Sequence, residues 1–158
     1  MFQEVINKIK QNKNQENSHF GCEIIARELI KKDRNLGIQW VSKCIQSYLF
    51  EFKPSNYIEL NNYVQQALDS QKVLTGSQYK EIGLKIWYMM GRDNAQTAVS
   101  RLWWAIAEFK LGEDDHGMRD LGASVDLLLF DRDRFDFERF DRYMTEAVKI
   151  YQQYELEK

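Results

Sequence analysis

At 158 residues, the chain is long enough for one domain that buries most of its apolar surface without disulfide or metal staples. Its balance of 44% hydrophobic and 29% charged residues is that of a globular protein and excludes intrinsic disorder. A formal net charge of -2 and only two cysteines, Cys22 and Cys44, argue against a nucleic-acid-coating polycation and against a disulfide-framed secreted domain.

Helical periodicity runs through almost the whole chain, and strand-like alternation is nearly absent. The first residues, "MFQEVINKIKQNKNQ", lack the apolar core of a signal peptide and place Phe2, Val5, Ile6 and Ile9 on one face of a short helix. A polar connector, "QNKNQENS", leads to a second helix near His19 to Lys32, with Cys22, Ile25 and Leu29 inward. "KDRNLG" reads as a loop into a third helix striped by Ile38, Val41, Ile45, Tyr48 and Phe52.

Pro54 is the only proline and stops that helix. Ser55 or Asn56 then caps a fourth helix, with Glu59 at the capping-box spacing and Leu60, Tyr63, Val64, Ala67 and Leu68 as its face. After "TGSQ", Tyr79, Ile82, Ile86 and Met89 mark a fifth helix ending at Gly91. Asp93 caps a sixth, striped by Ala95, Val99, Leu102, Ile106 and Phe109, and Gly112 supplies a left-handed end.

Asp115 is placed to cap a seventh helix, with Met118, Leu121, Val125 and Leu128 inward. In the last helix Phe137, Phe140, Met144, Ala147, Tyr151 and Tyr154 form the stripe. Asp136 is its N-cap, and Phe135 packs on Phe140 as a hydrophobic staple. The expectation is one all-α domain over 1–158, about eight helices in antiparallel hairpins forming a compact bundle or a short helical-repeat-like stack. The stretch "FKLGEDDHGMRDLGASVDLLL" has the small-residue rhythm of a tetratricopeptide-like hairpin, but nothing repeats it at a fixed period.

The apolar runs, such as "IWYMM", are too short to span a bilayer; a cytoplasmic protein without a membrane partner is expected. No glycine-rich phosphate loop, G-x-S-x-G, H-E-x-x-H or C-x-x-C occurs, so no catalytic residue and no cofactor is nominated. Each histidine lies in an E-x-x-H tetrapeptide, "ENSH" (Glu16 to His19) and "EDDH" (Glu113 to His116). A di-metal helical-bundle enzyme would need that pairing, but Glu16 lies in a polar connector and Glu113 follows a helix-ending glycine. No metal ligand is therefore assigned. The two cysteines read as buried small hydrophobes, close across one hairpin.

Charge is unevenly spread. The window from Glu108 to Asp141 holds eleven acids against five bases, whereas the first 79 residues hold ten bases against eight acids. Such a window repels a phosphate backbone and attracts a cationic protein. On the sixth helix Trp103 falls at the edge of the apolar stripe. Trp104 falls nearly opposite it, beside Thr97, Arg101 and Glu108, as either a second core face or an exposed anchor.

These features lead to a protein-binding module of the immunity type, which neutralises a basic, possibly nuclease, bacterial toxin domain and does not bind nucleic acid. Glu113, Asp114, Asp115, Asp120, Asp131, Asp133 and Asp136 would steer and clamp the partner, with Trp104 or Phe135 as anchor. A helical adaptor that holds a peptide between hairpins is the alternative. The connector around Asp131 and Asp133 is the part of the window that folding leaves unexplained.

Overall fold

That periodicity becomes helix almost throughout the computed structural model, which describes residues 2–11, 21–70, 73–89, 93–131 and 133–157. Among them the elements are α1 (Phe2–Gln11), α2 (Gly21–Lys32), α3 (Arg34–Phe52), α4 (Tyr57–Ser70), α5 (Gly76–Trp87), α6 (Asn94–Lys110), α7 (Asp114–Leu129) and α8 (Phe137–Leu156). Two very short strands, β1 (Phe130–Asp131) and β2 (Arg134–Phe135), lie between α7 and α8. The fold is all-α. No helix among the described residues is long and apolar enough to cross a membrane.

Local chemistry sets most boundaries. Asp93 accepts a hydrogen bond from Gln96 N at 2.8 Å and Asp136 from Arg139 N at 2.9 Å, each satisfying an orphan donor of a first turn. Thr75 and Gln78 form a reciprocal capping box at the head of α5. Gly112 takes the left-handed φ of 81°, and the next amide, Glu113 N, donates back to Glu108 O at 2.8 Å, closing α6.

Three boundaries differ from the sequence reading, the first being that α5 ends at Trp87 rather than Gly91. The segment "KDRNLG" is not a loop: Asp33 is extended and its carboxylate accepts from Asn35 N at 2.8 Å, so α3 starts at Arg34. Gly37 lies within that helix, where a Cβ would stand 2.7 Å from Ile30 Cγ2 and 3.0 Å from Leu121 Cδ1. Asp115 does not cap α7. Glu113 holds that position without a side-chain bond, and Asp114 and Asp115 lie in the first turn, where the helix dipole favours acids.

Small residues bring the helices together. Ser100 Oγ donates to Gly83 O at 2.8 Å, and a Cβ on Gly76 would meet Ala107 O at 3.2 Å, so α5 runs antiparallel to α6 with backbones nearly touching. Ser124 Oγ donates to Ala98 O at 2.8 Å, and Gly117 lies against the Phe109 ring, which fixes α7 antiparallel on the other side of α6. At Gly122 a Cβ would come 2.6 Å from Glu23 Cα, the same close approach between α7 and α2. The central helix α3 packs on α2, α4, α6, α7 and α8, and the buried Trp40 ties it to α8 by donating to Tyr143 O at 2.8 Å.

The last helix departs from its expected stripe. Phe140, Met144 and Ala147 are buried, but Phe137 is 38% exposed, resting edge-on against Phe135. The buried place on that turn belongs to Arg139, which is 1% exposed.

The Gly122 contact is backbone against backbone, so neither helix can yield by turning a side chain. Gly122→Ala is expected to lower the free energy of unfolding by about 1–3 kcal/mol, the usual cost of overpacking, measured by urea denaturation. A stability equal to the parent would show that α2 and α7 are not held this closely.

Candidate functional site

The acidic window does not become one acidic face. The sixteen residues of α7 span about 24 Å, which separates Glu113, Asp114 and Asp115 at its head from Asp131, Asp133 and Asp136 beyond its tail. Several of these acids are also committed inside the molecule. Asp114 meets Arg34 at 2.8 Å and Asp120 meets Arg101 at 2.9 Å. Among the described residues Glu113, Asp115 and Asp133 form no ion pair, and all three are exposed.

The tail group surrounds Arg139. Its guanidinium donates to Leu128 O at 2.6 Å and lies 3.4 Å from Asp131 and 3.2 Å from Asp136. Nε stands 3.8 Å from Glu51, and the cation rests over Tyr48 and Phe52 at 5.3 and 4.7 Å from the ring centroids. Burial of a guanidinium demands compensation of this kind. Asp131 is therefore explained by folding, contrary to expectation. The "DRDRFD" connector closes as a hairpin, with Phe130 opposite Phe135 and Asp131 opposite Arg134. Phe135 is half-buried and packs on Phe130, Phe137 and Phe140, so it is part of a local aromatic cluster.

The middle of α7 borders a different structure. A pocket of about 320 Å³ opens between α5, α6 and α7, lined by Leu84, Trp87, Tyr88, Ser100, Arg101, Trp104 and Asp120. Trp103 and Trp40 are fully buried, whereas Trp87 is 37% and Tyr88 69% exposed and Trp104 is half-buried. Trp104 is thus neither core nor free anchor: its ring passes Gly83, where a Cβ would be 3.4 Å from its Cε3, and forms one wall. The opposite wall is the end of α5. Gln96, itself buried, donates to the carbonyls of Ile86, Trp87 and Met89 at 2.8, 3.4 and 2.7 Å, holding that terminal turn in place.

Behind Asp120 lies Glu108, 7% exposed, with Oε1 buried and lacking a hydrogen-bond partner among the described residues. Burial, then the hydrogen bond and charge of Asp120, then Glu113, push its carboxyl up to about 8, with Lys80 opposing. It is therefore protonated near neutrality and donates to Asp120. Asp126, between α7 and α2, is similar: burial lifts it to about 7, against the hydrogen bond from the Cys22 thiol. Cys22 and Cys44 are free and buried, near enough for their charges to interact, and burial drives both thiols upward.

The sequence reading had placed Trp104, Arg101 and Glu108 on one side of α6. It missed Trp87 and Tyr88, which reach the pocket only because α5 ends where it does. Arg139 was also missed, although it lies four residues before the buried Tyr143 and so on its face. Asp120 pairs with Arg101, and Arg142 pairs with Glu51 at 3.0 Å. Glu113 and His116 face solvent, and Glu16 and His19 lie outside the described residues. Among those described, no group of three or more His, Cys, Asp or Glu side chains could hold a metal ion.

Two measurements follow from these charges. Arg139→Leu leaves Asp131, Asp136 and Glu51 without their counter-ion and Leu128 O without its donor, and is expected to cost about 3–5 kcal/mol in denaturant unfolding; Arg139→Lys, which cannot reproduce the forked contacts, should recover little of it. Glu108 and Asp126 titrate higher folded than unfolded. Their contribution is thus complete below the ordinary carboxylate range and is lost as pH rises through about 7 and about 8. The thermal midpoint should fall across that range, and the Glu108→Gln, Asp126→Asn double variant should flatten the fall; a parent midpoint already flat would refute both assignments. No known protein family, curated protein or solved structure matches the chain.

Proposed function

We propose that the protein is a binding module, of the immunity type, that captures and neutralises a basic toxin domain in the cytoplasm. The observation that carries this reading is the open aromatic pocket of Trp87, Tyr88 and Trp104, with carboxylates beside it. Large aromatic side chains at the edge of water are the usual anchors of protein interfaces. Glu113 and Asp115, exposed at the head of α7 one to two turns before Asp120, would speed and orient encounter with a cationic partner.

The binding face is thereby narrower than the whole acidic window. Asp114, Asp131 and Asp136 serve ion pairs away from the pocket, whereas Asp120, paired with Arg101, lies in its lining. The same pocket, lying between a hairpin and its neighbouring helix, also suits the adaptor reading, in which the partner contributes an extended peptide rather than a folded domain.

Affinity capture from the native host separates these possibilities. The parent should retain a basic protein that arrests growth when expressed alone and is harmless when co-expressed with this chain. Trp104→Ala, or Glu113→Lys with Asp115→Lys, should slow or weaken capture by about tenfold or more, with the charge variants losing their effect at high salt. Asp133→Lys should matter little. Capture unchanged in both pocket-end variants would overturn the proposal, and a partner that binds equally well as a short peptide would favour the adaptor.

A further inference from the structure

Building on that binding reading, we propose that the α5–α6–α7 pocket receives an arginine side chain of the partner, its guanidinium stacked on Trp104 and hydrogen-bonded to Asp120. Three aromatic rings and Leu84 wall the pocket, and its charged members are Arg101 and Asp120. An arginine suits such walls better than any other side chain: its planar cation is attracted to aromatic faces, and its methylene stem lies comfortably on apolar surface.

The charges beside the pocket also select a cation. In the free protein one guanidinium, Arg101, is matched by one carboxylate, Asp120, at 2.9 Å. The second carboxyl, Glu108, is buried against Asp120 with an oxygen that has no hydrogen-bond partner among the described residues. A second guanidinium arriving at Asp120 would stabilise ionised Glu108, whose proton leaves to solvent, so that two cations are matched by two carboxylates. A carboxylate guest could accept from Arg101, whose Nε is buried without a hydrogen-bond partner among the described residues, but would add a third acid beside Asp120 and Glu108. A purely apolar guest would seal the Arg101–Asp120 pair from water and leave the Arg101 Nε and Glu108 Oε1 still without partners among the described residues.

The groups facing Glu108 are Asp120 and Glu113 from α7 and Lys80 from α5, with Arg101 beside Asp120 on α6. Burial and these neighbours lift Glu108 to about 8. Binding of an arginine should therefore tighten as pH rises from about 6 to about 9, where the guanidinium itself stays charged.

The test uses N-acetyl-argininamide on the whole protein, followed by the indole N–H resonances. Trp87 and Trp104 should shift and saturate, with a Kd on the order of millimolar for so small a probe, while the buried Trp40 and Trp103 stay still. Asp120→Asn should weaken this about tenfold and Trp104→Ala should remove it; Trp104→Phe, which keeps a ring, should retain part and serves as the folding control. Glu108→Gln should bind without the pH dependence. The assignment falls if the probe gives no saturable shift, if N-acetyl-norleucinamide or N-acetyl-glutamate amide binds as well, or if all four tryptophans move together. The probe needs no partner. An arginine that fails to bind while capture still depends on Trp104 refutes this inference alone, and an arginine that binds while no protein is ever captured refutes the binding-module reading alone.

Discussion

The contact on which the rest depends is the near-touching of two backbones, α5 against α6, at Gly76 and Gly83. Helices normally stand apart by the thickness of their side chains, 8–10 Å between axes. Here the absent Cβ of Gly76 makes room for Leu111 and the Ala107 carbonyl, and two turns further on Ser100 bonds directly to the Gly83 carbonyl. The half-buried Trp104 ring lies beside Gly83, where it forms a wall. Gln96 then secures the end of α5 by its carbonyls, and Trp87 and Tyr88 come to face Trp104 across a gap. Remove the close approach and the pocket has no reason to exist.

A second constraint works at the other end of α7. Arg139 is fully buried, and a buried guanidinium must find acids and acceptors wherever the chain can supply them. It takes Asp131 and Asp136 from its own segment, Leu128 O from α7 and the rings of Tyr48 and Phe52 from α3. The hairpin between α7 and α8 is thus organised around one cation. Much of the negative charge that looks like surface in the linear chain is spent on such internal partners, Arg34 and Arg101 included. What remains for a partner is concentrated at the head of α7.

Periodicity was sufficient for the helices, and residue type for the caps at Asp93 and Asp136, because these are local objects whose bonds join residues three apart. The expected cap at Asn56 is not formed, its Oδ1 having no hydrogen-bond partner among the described residues. The start of α3 was missed because Gly37 looks like a loop residue until Ile30 and Leu121 are seen pressing on it. Arg139 was missed for a related reason. A charged residue on a buried face is discounted unless its partners are known, and Glu51 lies far away in the chain.

The sequence by itself determined an all-helical protein, most of its helical stretches, and the company of Trp104, Arg101 and Glu108 on one side of α6, since these follow from the 100° turn between neighbouring residues. Only the tertiary structure decided which acids stay in water and which answer a buried arginine. It alone decided that Trp104 lines a pocket rather than a core, because both outcomes turn on how closely helices distant in the chain approach one another.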